Sequence, residues 1–159
     1  MAAGPAVTGD EPAAPAPGTA LHRRQVGGTW RGNCRVELDV RDGRFELVSD
    51  ERRENGGDDA GPAPSELLFA SVASCFAMAV VWTARKRRLV LPDLEVVVTW
   101  GYNRKERIYD DVTIEARSSL AAEAPEEYET LLRLAQEACW VTRTARRGMP
   151  FVVRAAARE

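Results

Sequence analysis

Two stretches of the chain alternate between apolar and polar residues and predict pairs of β-strands. The segment "CRVELDV", residues 34–40, is followed by the turn "RDGR" and a returning strand, "FELV". Asp42 and Gly43 predict a two-residue turn in this hairpin. Farther along, "LEVVVTWGY" and "RIYDDVTIEARS" predict a second strand pair, joined by the polar turn "NRKE". The apolar stretch "MPFVVRA" predicts a last strand.

The apolar segment "ELLFASVASCFAMAVVW", residues 66–82, predicts a long helix that runs from Pro64 to about Arg88. Proline is favoured at the first position of a helix, and Pro92 marks the break after this one. Apolar residues surround its whole circumference, and a helix that is apolar all round is buried all round. Because one small domain cannot cover every face, we expect a dimer with this helix at its centre.

A second helix is predicted to begin at Pro125, with Glu126 and Glu127 in its first turn, and to end before Gly148. Its apolar residues follow helical spacing and form one stripe: Tyr128, Leu131, Leu132, Ala135, Ala138 and Cys139. The element order β-β-α-β-β-α-β predicts one α+β domain without repeats.

The flanking segment and one internal loop have different compositions. Residues 1–24 are rich in Ala, Pro and Gly and lack a periodic apolar pattern, so we expect a disordered tail ahead of a domain over residues 25–159. The only histidine, His22, lies in that tail and leaves none for a catalytic triad or zinc site in the domain. The polar loop over residues 50–65 is long enough to indicate a functional segment.

Bulk composition excludes several classes of partner. A net charge of −2 argues against nucleic-acid binding. The longest apolar run has about 16 residues, short of the roughly 20 needed to span a membrane. Three cysteines are too few for a disulfide-stapled secreted scaffold, and no secretory signal is evident. We therefore expect a reduced, cytoplasmic protein that binds neither nucleic acid nor membrane.

Two of the three cysteines, Cys75 and Cys139, fall on the two predicted core helices. The pair fits either two inert buried thiols or a redox pair, and spacing alone does not decide between them. A metal site lacks a partner histidine and a third nearby thiol, and no CxxC motif is present. Cys34 shares its strand face with Val36 and Leu38, so we expect it to be buried packing.

The segment "GGDDAGPAPSELLFASVASCFAMAVVWTARKRRLVLPDLEVVV", followed by "LRLAQEACWVTRTARRGMPFVV", resembles the osmotically inducible protein C and organic hydroperoxide resistance family (OsmC/Ohr) over about residues 28–156. The resemblance implies an OsmC-like fold, in which antiparallel sheets surround two central helices in an intertwined homodimer. It also implies a thiol peroxidase acting on organic hydroperoxides, with Cys75 as the peroxidatic thiol and Cys139 as the resolving thiol. A dithiol such as the reduced lipoamide of a lipoylated protein would recycle the pair, and no metal, haem or flavin is required.

In the family, an arginine paired with a glutamate activates the first cysteine. Glu66 is the candidate carboxylate here, although Ser65 occupies the family's glutamate position and one residue is about 100° of helix rotation. A helix-start carboxylate is its alternative role. Arg44 is the favoured arginine, ahead of two arginines of the long loop, Arg52 and Arg53.

A further departure concerns the second cysteine, which the family commonly follows with proline. Trp140 stands there in this chain, which predicts a helix that runs on and shifts Cys139 relative to Cys75. These departures leave two alternatives to the peroxidase: a non-enzymatic OsmC-like protein that binds a small lipophilic ligand in its dimer cleft, or a thiol redox sensor.

Overall fold

A computed structural model describes residues 24–149, together with Phe151 and Val153. The described residues form two antiparallel sheets and four α-helices, an α+β fold as the sequence predicts. The first sheet has the order β1-β2-β3, with β1 over Val26–Trp30, β2 over Val36–Val40 and β3 over Phe45–Ser49. The second sheet pairs β4, Glu95–Asn103, with β5, Ile108–Arg117.

Four α-helices complete the fold: α1 over Pro64–Arg87, α2 over Leu120–Glu123, α3 over Pro125–Ala138 and α4 over Trp140–Arg147. The start of α1 follows from local sequence, since Pro64 takes its first position and the Glu66 carboxylate accepts the N–H of Ala63 at 2.8 Å. The helix ends where Arg88 adopts a left-handed conformation, with φ at 58°.

Three predictions about the strands need correction or lie outside the described residues. The strand β1 was missed, because Gly27 and Gly28 interrupt its alternation of apolar and polar residues. The turn between β2 and β3 is not a two-residue turn: Val40 pairs with Phe45, so the loop has four residues, Arg41–Arg44. The predicted tail over residues 1–24 lies outside the described residues except for Arg24, and the predicted last strand over residues 149–155 lies largely outside them.

The core forms where α1 packs on α3, α4 and β4. Val80, Leu131, Ala135 and Cys139 are completely buried there, with Phe76 and Tyr128 beside them. By length and composition alone, α1 is also long and apolar enough to cross a membrane, although the apolar run within it has only about 16 residues. Core helices of soluble proteins meet the same criterion, and α1 has the packing of a core helix on one side.

The first sheet leaves an apolar face uncovered. Residues directly opposite each other on antiparallel strands point to the same face, and the register of β1, β2 and β3 places seven apolar side chains together. These are Val26, Trp30, Val36, Leu38, Val40, Phe45 and Leu47. Within the described part of the chain, the sheet makes no extensive contact with the helices. On α1, Leu68, Met78 and Trp82 are also exposed. The homodimer stays a prediction, and these bare surfaces are what it would have to cover.

The loop between β3 and α1 is organised around a buried carboxylate. Asp50 is completely buried and accepts the N–H groups of Glu51 at 2.8 Å and of Asp58 and Ala60 at 3.1 Å. Burial raises the pKa of Asp50, but these hydrogen bonds hold it below its ordinary value. A side chain at Gly57 would collide with the Glu51 carbonyl, so the loop also requires glycine at this position.

Cys34 is exposed, contrary to the prediction that it packs in the core. The residue precedes β2 rather than lying in it, because Gly32 and Asn33 adopt left-handed conformations in a turn that ends just before the strand. Its sulfur lies 3.8 Å from the carbonyl oxygen of Gly56.

Candidate functional site

The structure brings together two thiols that are 64 residues apart in sequence. The Sγ atoms of Cys75 and Cys139 are separated by 3.3 Å, and both residues are reduced. Cys75 lies in the middle of α1 and is half-buried, whereas Cys139 is completely buried. A disulfide bond is about 2.05 Å long, so a movement of little more than an ångström would bring the sulfurs to bonding distance.

Cys139 lies at a break between two helices. Its φ and ψ of −74° and 110° are extended, so α3 ends at Ala138 and α4 begins at Trp140. The absence of proline after Cys139 predicted a helix that continues through Trp140, and this prediction is wrong. The Cys139 N–H donates to the Ala135 carbonyl at 2.9 Å, and its carbonyl accepts the Arg143 N–H at 3.1 Å. One residue thus ends α3 and caps α4, which fixes its side chain against α1.

The two thiols have opposite pKa shifts. Burial raises the pKa of Cys75, and the neighbouring Cys139 raises it further, against the backbone N–H groups of Val141 and Trp140. Burial also acts to raise the pKa of Cys139, but hydrogen bonds from the side chain and backbone of Thr142, from Cys75 and from the Val141 backbone together lower it. Negative charge on the pair is therefore favoured on Cys139, at the amino end of α4.

Glu66 pairs with Arg52 rather than with Arg44 or Arg53. The Arg52 guanidinium donates to the Glu66 carboxylate at 2.5 Å, and this bond, with the Ala63 N–H, lowers the pKa of Glu66. Glu66 precedes Cys75 by nine residues, which on an α-helix is half a turn of rotation and about 13 Å of rise. Within one chain, Glu66 and Cys75 therefore lie on opposite sides of α1.

The other candidate arginines lie elsewhere on the surface. Arg44 belongs to the β2–β3 loop, where its guanidinium carbon is 5.6 Å from the centre of the Phe45 ring. Arg53 is exposed in a short 3₁₀ turn, Arg53–Asn55. The groups that shift the pKa of Cys75 include no arginine or lysine of the described chain. The structure thus brings the two cysteines together and leaves Arg44, Arg53 and the Arg52–Glu66 pair apart from them.

Two residues that organise the site were missed in the sequence. Thr142 is buried, and its hydroxyl donates to the Cys139 carbonyl oxygen at 3.2 Å. A threonine three residues after a helix cap is the only signal that the sequence offers. Asp50 fixes the loop that carries Arg52, and nothing in its sequence context distinguishes it from the neighbouring acidic residues.

A cavity of about 820 Å³ lies beside the Arg52–Glu66 pair, and neither thiol lines it. Its walls include Trp100, which stacks on Phe69 with 4.3 Å between ring centres, and Tyr109. Among the described residues, no group of three or more His, Cys, Asp or Glu side chains is placed to hold a metal ion.

The fold and the paired sulfurs define a small α+β protein with a two-cysteine site. The sequence profile of the OsmC-like protein family matches residues 56–154. This chain belongs to the OsmC-like protein family, which confirms the resemblance drawn from its sequence. A comparison with curated protein sequences gives no match.

Solved structures share the fold. The organic hydroperoxide resistance protein OsmC of Legionella pneumophila is similar with a TM-score of 0.66 and 25% identity, over 82% of this chain and 93% of that one. The organic hydroperoxide resistance protein OhrB of Bacillus subtilis is similar with a TM-score of 0.59 and 22% identity, over 81% and 93% of the two chains. An OsmC-like protein of unknown function from Vibrio cholerae is similar with a TM-score of 0.58 and 16% identity, over 77% of this chain and 93% of that one.

Proposed function

We propose that this protein reduces organic hydroperoxides with the Cys75–Cys139 pair. The observation that supports this function most directly is the 3.3 Å separation of the two sulfur atoms in a member of the OsmC-like family. Two inert core thiols need not meet, whereas a peroxidatic thiol needs a second thiol within reach to form a disulfide. The names of the Legionella and Bacillus proteins add support for organic hydroperoxides as substrates.

The reaction proceeds in two covalent steps. The Cys75 thiolate attacks one oxygen of the hydroperoxide, the O–O bond breaks, and the products are a Cys75 sulfenic acid and an alkoxide that takes up a proton as the alcohol. The Cys139 thiolate then attacks the Cys75 sulfur and expels hydroxide, which leaves as water. An external dithiol, such as the reduced lipoamide of a lipoylated protein, returns two electrons to the disulfide.

Cys75 is assigned the first attack because it is the more accessible sulfur, Cys139 being completely buried. Attack requires the thiolate, yet burial raises the pKa of Cys75 and no cation among the described residues of the same chain offsets it. We propose that a homodimer supplies the missing charge. Its formation would cover the bare face of the first sheet and would bring an arginine of the second copy to Cys75.

The environment of Cys75 favours a bulky apolar peroxide. Cys75 packs against the apolar core cluster that includes Phe76, Val80 and Leu131, and Val96 of β4 packs against the same cluster. Such surroundings bind alkyl or aryl groups better than they bind hydrogen peroxide. Because free thiols must persist for this chemistry, we place the protein in a reducing compartment, the cytoplasm.

Peroxide consumption by the purified protein tests the proposal. Cumene hydroperoxide and hydrogen peroxide are compared with dihydrolipoamide as reductant, and the organic peroxide should be consumed faster. Cys75→Ser and Cys139→Ser should abolish dithiol-dependent turnover, with Cys34→Ser as the matched control that retains it. Equal turnover by Cys75→Ser would overturn the proposal.

A redox sensor is the second candidate, favoured by the position of Glu66 half a turn away from Cys75. Without an oriented arginine, the pair would form its disulfide slowly and would not cycle fast enough to remove peroxide. Disulfide formation without measurable turnover would support the sensor. Retention of both thiols under peroxide would leave the non-enzymatic ligand-binding protein.

A further inference from the structure

We propose that Thr142 is a positioning residue that makes Cys139 the leaving sulfur whenever the Cys75–Cys139 disulfide is reduced, so that the incoming dithiol bonds to Cys75. This inference rests on the proposed function, because it assigns the direction in which the same pair is recycled. It depends on three features of the site: the cap position of Cys139, the hydroxyl of Thr142, and the unequal exposure of the two sulfurs.

Cys139 occupies the cap position of α4, where a serine or aspartate side chain usually accepts N–H groups of the first turn. As a neutral thiol it makes no conventional cap hydrogen bond. The backbone N–H groups of Thr142 and Val141 nevertheless lower its pKa. The amino end of α4 therefore carries a partial positive charge, which stabilises a Cys139 thiolate but not a neutral Cys139 thiol.

The Thr142 hydroxyl is a hydrogen-bond donor that can point to either of two acceptors. In the reduced, neutral site it donates to the Cys139 carbonyl oxygen at 3.2 Å. A hydroxyl rotates about its C–O bond, and a thiolate accepts a hydrogen bond more strongly than a thiol does. When Cys139 is charged, the hydroxyl can therefore donate to its sulfur instead, and this side-chain hydrogen bond also lowers the Cys139 pKa. Thr142 is buried, so water does not replace the bond.

Exposure selects the sulfur that is attacked. Cys139 has no exposed surface, whereas Cys75 is only half-buried. A dithiol from solution can approach Cys75 but not Cys139. The accessible sulfur is thus the electrophile, and the sulfur held by α4 and Thr142 is the leaving group. Exchange is faster when the departing thiol has the lower pKa.

The dithiol reduces the pair by two successive thiol–disulfide exchanges. A thiolate of the dithiol attacks the Cys75 sulfur, a new S–S bond forms, and the Cys75–Cys139 bond breaks with its electron pair on Cys139. The second thiol of the reductant loses its proton and attacks the reductant's first sulfur, which is bonded to Cys75 in the mixed disulfide. This step releases the Cys75 thiolate. The dithiol leaves as a cyclic disulfide, two electrons have reached the pair, and the dithiol's two protons pass to solvent or to the cysteine thiolates.

Thr142→Val removes the hydroxyl and keeps the branched shape, and Thr142→Ser restores the hydroxyl. The disulfide is prepared with diamide, so that the test does not depend on peroxide turnover. Reduction by dithiothreitol under single-turnover conditions should be slower in Thr142→Val by roughly threefold to tenfold. Thr142→Ser should reduce at the wild-type rate. If Thr142→Val does not fold, Thr142→Ala removes the same hydroxyl and gives the same expectation.

Two further readouts separate positioning from a merely structural role. With Cys34 and Cys75 both changed to Ser, the ultraviolet absorbance of the thiolate reports Cys139 alone, and Thr142→Val should move its titration to higher pH while Thr142→Ser should not. In the wild type, the monothiol glutathione should form its mixed disulfide on Cys75. Unchanged titration and reduction rates in Thr142→Val, or glutathione attached to Cys139, would overturn the inference.

Discussion

Arg52 and Glu66 form an ion pair at the start of α1, and Glu66 lies on the side of the helix opposite Cys75. The pair has the composition that the resemblance to the family implies for activation of the first cysteine, but within one chain it cannot contact that thiol. If the pair acts on a thiol, it does so between two copies of the chain. The assembly is therefore the first property to measure.

Leu47→Glu should convert the proposed homodimer into a monomer. The side chain lies on the bare face of the first sheet, opposite Leu38, where a buried carboxylate would oppose association. Light scattering should give a dimer mass for the wild type and a monomer mass for the variant. Glu46→Gln on the opposite face of the same strand is the matched control and should leave the dimer intact. A monomeric wild type at micromolar concentration would contradict the prediction.

Asp50→Asn should lower the melting temperature by several degrees, because an amide replaces a buried carboxylate that accepts three backbone N–H groups. The folded-state pKa of Asp50 lies below its ordinary value of 3.8, so its contribution is complete above that pH and is lost as pH falls through the folded-state value. The wild type and the variant should therefore differ fully at pH 6 and converge in strong acid. A difference that grows on acidification would show that the sign is wrong. Asp58→Asn, in which the side chain is exposed, is the control.

Tyr128→Phe should leave the protein as stable or make it more stable. The phenol is buried in the core, and its oxygen has no hydrogen-bond partner among the described residues. Removing an unsatisfied buried hydroxyl gives a gain of about 1 kcal/mol in the free energy of unfolding. Urea denaturation measures the change, and a clear loss of stability would reveal a partner such as bound water.

Cys34→Ser should keep peroxide turnover and melting temperature close to those of the wild type. The side chain is exposed, and it is not one of the residues around the thiol pair. A serine at such a position changes neither core packing nor the reacting sulfurs. A loss of turnover comparable with that of Cys75→Ser would mean that the reacting thiols have been assigned wrongly.

The elements with strong periodicity could be predicted from the sequence. The predicted helix from Pro64 to about Arg88 matches α1, and both strand pairs appear where alternation placed them. β1 escaped because Gly27 and Gly28 interrupt its pattern. Cys34 was misplaced because strand parity was extended across a turn at Gly32, which only the backbone conformation shows.

The site was predictable only in part. Helical spacing placed Cys75 and Cys139 on core-facing sides, but the break at Cys139 has no proline or glycine to mark it. The arginine that pairs with Glu66 depends on the path of a long loop, and that path is set by the buried carboxylate of Asp50. Contacts made between distant segments of this kind leave no periodic trace in a single sequence.

The most direct test of the central claim is a thiol count after one equivalent of cumene hydroperoxide per chain. We expect the loss of two thiols per chain, and peptide mapping should find one intrachain bond between Cys75 and Cys139 while Cys34 stays reduced. In Cys139→Ser, Cys75 should stop at sulfenic acid and over-oxidise in excess peroxide, because no resolving thiol remains. Retention of all three thiols, or a disulfide that includes Cys34, would show that Cys75 and Cys139 do not act as a peroxide-reducing pair.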